Sequence, residues 1–137
     1  MNLSKEDMFC ESMACTAAAK ASTNVLDFHN HGDDILHKLF WSVWAGSVSG
    51  TVDKDLVVAW ETCDTEGFSS GVKTLATLTI DKSKCVANAY LVKNETLPKG
   101  LKRYNRLKFT ETGGTYFPTV TAFLHSGRDE GVPFKGI

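Results

Sequence analysis

From residue 23 onward the chain alternates apolar and polar side chains with a period of two, and clusters of turn-forming residues interrupt it at intervals of roughly 10 to 20 residues. The pattern predicts strands over Thr23 to Phe28, Leu36 to Trp44, Leu56 to Cys63, Val72 to Ile80, Cys85 to Val92, Arg103 to Thr110 and Tyr116 to His125. The breaks carry turn chemistry, as in Asp64-Thr65-Glu66-Gly67, Asp81-Lys82-Ser83, Leu97-Pro98-Lys99-Gly100 and Thr112-Gly113-Gly114. These intervals are too short for crossover helices, so successive strands pair antiparallel or cross between two sheets, as in a sandwich or jelly roll.

Alternation also assigns faces. Leu56, Val58 and Trp60 oppose Val57, Ala59 and Glu61, and Val120, Ala122 and Leu124 oppose Thr119, Thr121 and Phe123. Phe123 therefore falls on a second packing surface. Trp41 and Trp44, three apart, point to opposite faces of a regular strand, which places one of them at a surface or subunit contact. Pro118 cannot donate to a ladder, so it predicts an edge or a bulge at the start of the last strand.

Residues 1–20 show no sustained period and are rich in small side chains, which reads as an extended N-terminal arm ordered by whatever receives it. A helix over Ser4 to Lys20, with Met8, Cys15 and Ala19 on one face, is the alternative. The division expected is an arm over 1–20 and a single all-β, antiparallel, jelly-roll-like sandwich over 21–137.

Composition alters this picture little. The polar, acidic start is a poor secretory signal, and no segment approaches the ~20 apolar residues of a membrane span. Cys10, Cys15, Cys63 and Cys85 lie far apart without a CxxC pair, which reads as reduced thiols. Charge is more informative. Residues 1–68 hold 4 Lys/Arg and 11 Asp/Glu, net -7, and residues 69–137 hold 11 and 5, net +6, for the overall -1. Either the two sets interleave within the fold or acidic and basic faces meet across subunits.

Most of the positive charge falls in one place. Leu97-Pro98-Lys99-Gly100-Leu101-Lys102-Arg103-Tyr104-Asn105-Arg106-Leu107-Lys108-Phe109 has five cations and no acid, and Asn105, Leu107 and Phe109 alternate with Tyr104, Arg106 and Lys108. The sequence predicts a Pro/Gly turn feeding a half-buried strand whose outward side is a rigid cationic and aromatic ledge. Three readings fit it: a solvated strand face, a protein docking surface, or an anion or nucleic-acid site. The overall charge of -1 disfavours the last.

Other chemistry is sparse. His29 and His31, with His37 and His125, suggest a cupin-like metal site, but no Glu follows at the required spacing and turn histidines account for them as well. Glu61, Asp64 and Glu66 suggest paired carboxylates or a calcium loop, against the simpler reading of a hairpin turn in which Gly67 takes a positive φ. Trp41, Trp44 and Trp60 suggest a sugar-stacking platform, against a core role. No Gly-x-Ser-x-Gly elbow, phosphate loop or HExxH helix is present, and no enzyme activity, cofactor or metal is expected.

In their order and spacing, Thr16-Ala17-Ala18-Ala19, Ser22 to Asp27, Trp60-Glu61-Thr62-Cys63-Asp64, Gly67-Phe68, Leu97 to Phe109 and Thr121-Ala122-Phe123-Leu124 resemble the capsid cement, or decoration, proteins of tailed bacteriophages. The resemblance spans residues 16–125 or so. It implies a small jelly-roll protein on the outer surface of a virion assembled in a bacterial cytoplasm. It further implies a homo-oligomer, dimeric by expectation, that bridges major capsid protein subunits and contacts neither nucleic acid nor membrane directly. Combined with the ledge, it makes Lys99, Lys102, Arg103, Tyr104, Arg106 and Lys108 the expected contacts with the capsid or a partner subunit. A galactose-binding-like carbohydrate module is the alternative, since its strands can also read Arg-Tyr-x-Arg-Leu.

Overall fold

A computed structural model describes residues 8–16, 19–28, 39–48, 50–111 and 114–125. Among the described residues there are nine strands: β1 (Met8–Ala14), β2 (Lys20–Ala21), β3 (Leu26–Asp27), β4 (Phe40–Val48), β5 (Leu56–Cys63), β6 (Lys73–Ile80), β7 (Ala89–Thr96), β8 (Tyr104–Thr110) and β9 (Pro118–His125). They form two antiparallel sheets, one of four strands in the order β1-β9-β4-β7 and one of five in the order β2-β8-β5-β6, with β3 also on β8. Apart from the β5–β6 hairpin and the β2–β3 step, every connection crosses from one sheet to the other. Counting β2 and β3 as pieces of one edge strand gives eight strands ordered first-eighth-third-sixth and second-seventh-fourth-fifth. That is the strand order of a jelly roll.

The expected β5 is met residue for residue, and β6, β8 and β9 to within two residues; of the strand expected over Leu36 to Trp44, residues 36–38 lie outside the described set and β4 runs on to Val48. Three departures have local causes. β7 begins at Ala89, because Lys82–Lys84 form a 3-10 turn capped by the Asp81 side chain and Asn88 turns at φ +58° before the chain re-enters a sheet. Thr23 to Phe28 shortens to β3, since residues 23–25 leave the β8 ladder after Ser22, whose N–H still donates to Leu107 O and whose Oγ accepts from Leu107 N and donates to Asn24 O. Within the N-terminal twenty, Met8–Ala14 is a strand rather than a helix: it pairs with β9 and buries Met8, Phe9, Cys10 and Met13. Residues 1–7 lie outside the described set.

The core lies between the sheets. Trp60 is wholly buried at its centre, with Phe9 and Trp41 packed edge-on at ring distances of 5.1 and 5.4 Å. Both indole N–H groups are satisfied, Trp60 donating to Asn105 Oδ1 (3.0 Å) and Trp41 to Thr96 O (3.2 Å). Leu56, Val58, Leu107, Phe109, Val43 and Val120 fill the remaining core positions that alternation assigned.

Trp44 and Phe123 sit on the other face of the four-stranded sheet with Met8 and Tyr90, a second cluster as expected for residues out of phase with the core. Pro118 opens a central strand, not an edge one. As the first residue of β9 it needs no ladder donor, and the β4–β9 register shifts between Ala45 and Val48 beside it. All four cysteines are buried and unpaired.

Candidate docking surface on the five-stranded sheet

β8 is flanked by β5 on one side and by β2 and β3 on the other, which fixes its side chains in rows. Asn105, Leu107 and Phe109 are buried toward the core, and Tyr104, Arg106 and Lys108 are half-exposed on the outer face. Across the ladder Tyr104 stands opposite Cys63 and Asp27, Arg106 opposite Glu61, and Lys108 opposite Ala59 and Ala21. The ledge expected from sequence is present as a structural row. The turn before it is anchored by buried Leu97 and Leu101, with Gly100 at φ +86° allowing the reversal.

Three of its five cations are matched by carboxylates of the same chain. Arg103 binds Asp27 in a two-pronged contact, Nε to Oδ1 at 2.8 Å and Nη2 to Oδ2 at 3.0 Å. Arg106 Nε donates to Glu61 Oε1 at 2.8 Å, and Lys102 Nζ lies 3.4 Å from Asp64. Each pair joins an acid from residues 1–68 to a base from residues 69–137, so in these pairs the charge sets of the two halves interleave within one fold. The Asp27 hydrogen bonds hold the Arg103 guanidinium above its ordinary pKa. Glu61 and Asp64, candidates for paired carboxylates, are thus ion-pair partners.

Aromatic rings fix the same cations. The Arg106 guanidinium lies 4.2 Å from the Phe68 ring centre and that of Arg103 lies 5.0 Å from the Tyr104 ring. Phe68 reaches this position because the β5–β6 loop folds back, with Phe68 itself at φ +52° and its N–H bonded to Thr65 O. The left-handed residue of that turn is Phe68, not the Gly67 expected from sequence. Beneath the loop the Cys63 thiol donates to Ser70 O (3.1 Å) and lies 3.3 Å from Thr65 Oγ1; hydrogen bonds from Thr65 draw its pKa down.

The result is a pre-organised surface: Arg103–Tyr104 and Arg106–Phe68 cation–ring pairs locked by Asp27 and Glu61. Lys99 and Lys108 are the ledge cations without an ion-pair partner among the described residues. Sequence reasoning missed Phe68 and Asp27 as members. No local pattern marks them, because their contacts depend on a loop reversal and on the β3–β8 register.

The other candidates disperse. Trp41 and Trp60 are core residues and Trp44 lies on the outer face of the four-stranded sheet, so the three tryptophans form no common platform. His125 is buried, with Nε2 2.8 Å from Ser42 Oγ; His29, His31 and His37 lie outside the described residues. Among the described residues no three His, Cys, Asp or Glu side chains are grouped to hold a metal ion. A cleft of about 400 Å³ at another part of the sandwich, between Val48 to Val52 and Lys82 to Ala87, is walled by Val48, Val52 and Val86 with Lys82 at its lining. No protein-family model matches the chain, and no curated protein matches it significantly.

Proposed function

We propose that this protein is a structural capsid component, an outer-shell cement protein of a tailed phage that binds across major capsid subunits through the outer face of its five-stranded sheet. The observation that carries the reading is the β8 row. Arg106 on it and Arg103 beside it are held by Asp27, Glu61, Phe68 and Tyr104, so these anchors lose little side-chain entropy on binding a partner, and Arg and Tyr anchors of this kind dominate protein interfaces. The jelly-roll strand order and the sequence resemblance to cement proteins support the same reading.

The internal ion pairs refine the assignment. Arg103 and Arg106 present their flat stacked faces, while Lys99 and Lys108 carry the charge left for an acidic partner. The Lys99→Ala, Lys108→Ala double variant removes no ion pair found among the described residues, and it should lower affinity for purified shells by about tenfold, roughly 1.4 kcal/mol. Undiminished decoration by that variant would remove the surface from the account.

A further inference from the structure

The two sheets have four edges, and three of them resist pairing with another chain. β1 carries two register shifts against β9 within seven residues, with Ser12 at φ +49°. β7 shifts twice against β4, turns at Asn94 (φ +51°), and bears Lys93 and Glu95. The β2–β3 edge consists of two-residue pieces separated by the interruption at 23–25. Bulges, interruptions and charges are the usual protections of an edge strand.

β6 has little of this. Its one irregularity is the extra residue Leu75, and from Ala76 to Ile80 it pairs with β5 residue for residue, uncharged and without proline. Nothing among the described residues pairs with its far side. Thr77 and Thr79 are exposed on the outer face, opposite Ala59 and Val57, and Ala76, Leu78 and Ile80 point toward the core side, opposite Trp60, Val58 and Leu56.

From these features we infer that β6 is a self-pairing edge, joining the five-stranded sheets of two copies into one continuous antiparallel sheet. The regular segment is complementary to itself. With Leu78 on the two-fold axis, Thr77 faces Thr79 of the second copy on the outer side, and Ala76 faces Ile80 on the inner side. The antiparallel arrangement is the one that a two-fold axis through Leu78 imposes on two identical edges. A pairing of this length buries less than a standard interface, so the dimer is a reversible one, reinforced when copies are concentrated on a common scaffold. The inference deepens the oligomeric part of the proposed function and needs no capsid to be tested.

The test is sedimentation velocity of the free protein from low-micromolar to millimolar concentration, for wild type and for Thr77→Lys, Thr79→Lys. Both substituted side chains are exposed, so the far-ultraviolet circular dichroism should not change. A concentration-dependent dimer in wild type and a monomer in the variant are expected; a wild type that stays monomeric, or a variant that dimerises equally, overturns the inference. Oxidation of Thr77→Cys mixed with Thr79→Cys provides an independent readout. The native thiols are buried, so cross-linking should appear in the mixture well above that in either variant alone. Equal cross-linking in all three samples would contradict this register. Because shells are absent, failure here leaves the docking surface on β8 untouched.

Discussion

Glu111, just past the end of β8, is 1% exposed, and neither carboxylate oxygen has a hydrogen-bond partner among the described residues. Gly114 packs directly against Oε1, where a Cβ would clash, and Asp53, which accepts from Thr115 N at 2.9 Å, adds a second carboxylate to the same turn. Burial, followed by repulsion from Asp53, raises the Glu111 pKa from 4.5 to about 7. The other titratable groups facing it are the thiols of Cys15 and Cys85, whose pKa values of about 12 and about 11 keep them neutral in this range. A folded-state pKa above the unfolded value means that folding favours the protonated acid. Stability is therefore greatest below pH 4.5 with respect to this group, and it declines as pH rises toward 7. At 1.36 kcal/mol per unit the full loss is about 3 kcal/mol. Glu111→Gln abolishes the titration but leaves an amide short of partners, a cost of about 1 to 3 kcal/mol that does not vary with pH. The readout is consequently the difference between wild type and variant across a urea-unfolding series from about pH 4.5 to 8.5, followed by tryptophan fluorescence. The gap should move in the variant's favour by about 3 kcal/mol with rising pH. A gap that stays constant would refute both the burial of the ionised carboxyl and the reasoning built on it.

Other consequences are as direct. Arg106→Ala leaves the mostly buried Glu61 carboxylate without its cation and Phe68 without its stacking partner, so it should destabilise the fold by roughly 2 to 3 kcal/mol, measured by urea denaturation. Adding Glu61→Gln should recover part of that loss, and no recovery would show that the pair is not coupled. Asn105→Ala orphans the Trp60 indole N–H in the centre of the core and the Lys102 carbonyl beside it; a loss of about 2 to 4 kcal/mol and a lower thermal midpoint are expected. Under native conditions a thiol reagent followed by peptide mass spectrometry should label Cys63 first. Hydrogen bonds from Thr65 lower its pKa, whereas burial holds Cys10, Cys15 and Cys85 at about 11 to 12. Simultaneous labelling of all four would contradict that order.

The sheet strands were legible where one face meets the core and the other meets solvent. Leu56 to Trp60 and Tyr104 to Thr110 alternate cleanly because they lie in central strands with one wetter side, and their faces follow from the sequence alone. β1 was not legible: Met8-Phe9-Cys10 is buried without a break and Ser12 sits at positive φ, so no period of two survives. The position of β7 was misjudged because the 3-10 turn and the Asn88 turn are settled by tertiary contacts, Asn88 N bonding Gly46 O among them. At the candidate surface the row of cations was visible in the sequence, whereas its neutralisation was not. Glu61 lies 45 residues from Arg106 and Asp27 lies 76 from Arg103, and only the β5–β8 and β3–β8 registers bring them together.

The central claim is that this jelly roll clamps a capsid through the rigid face of β8, and co-sedimentation of the purified protein with cognate shells lacking it tests that claim most directly. Saturable binding at a fixed ratio to major capsid subunits, weakening from low to moderate salt as the Lys99 and Lys108 charges are screened, is the predicted result. Shells that pellet without the protein at every concentration and salt would contradict the account.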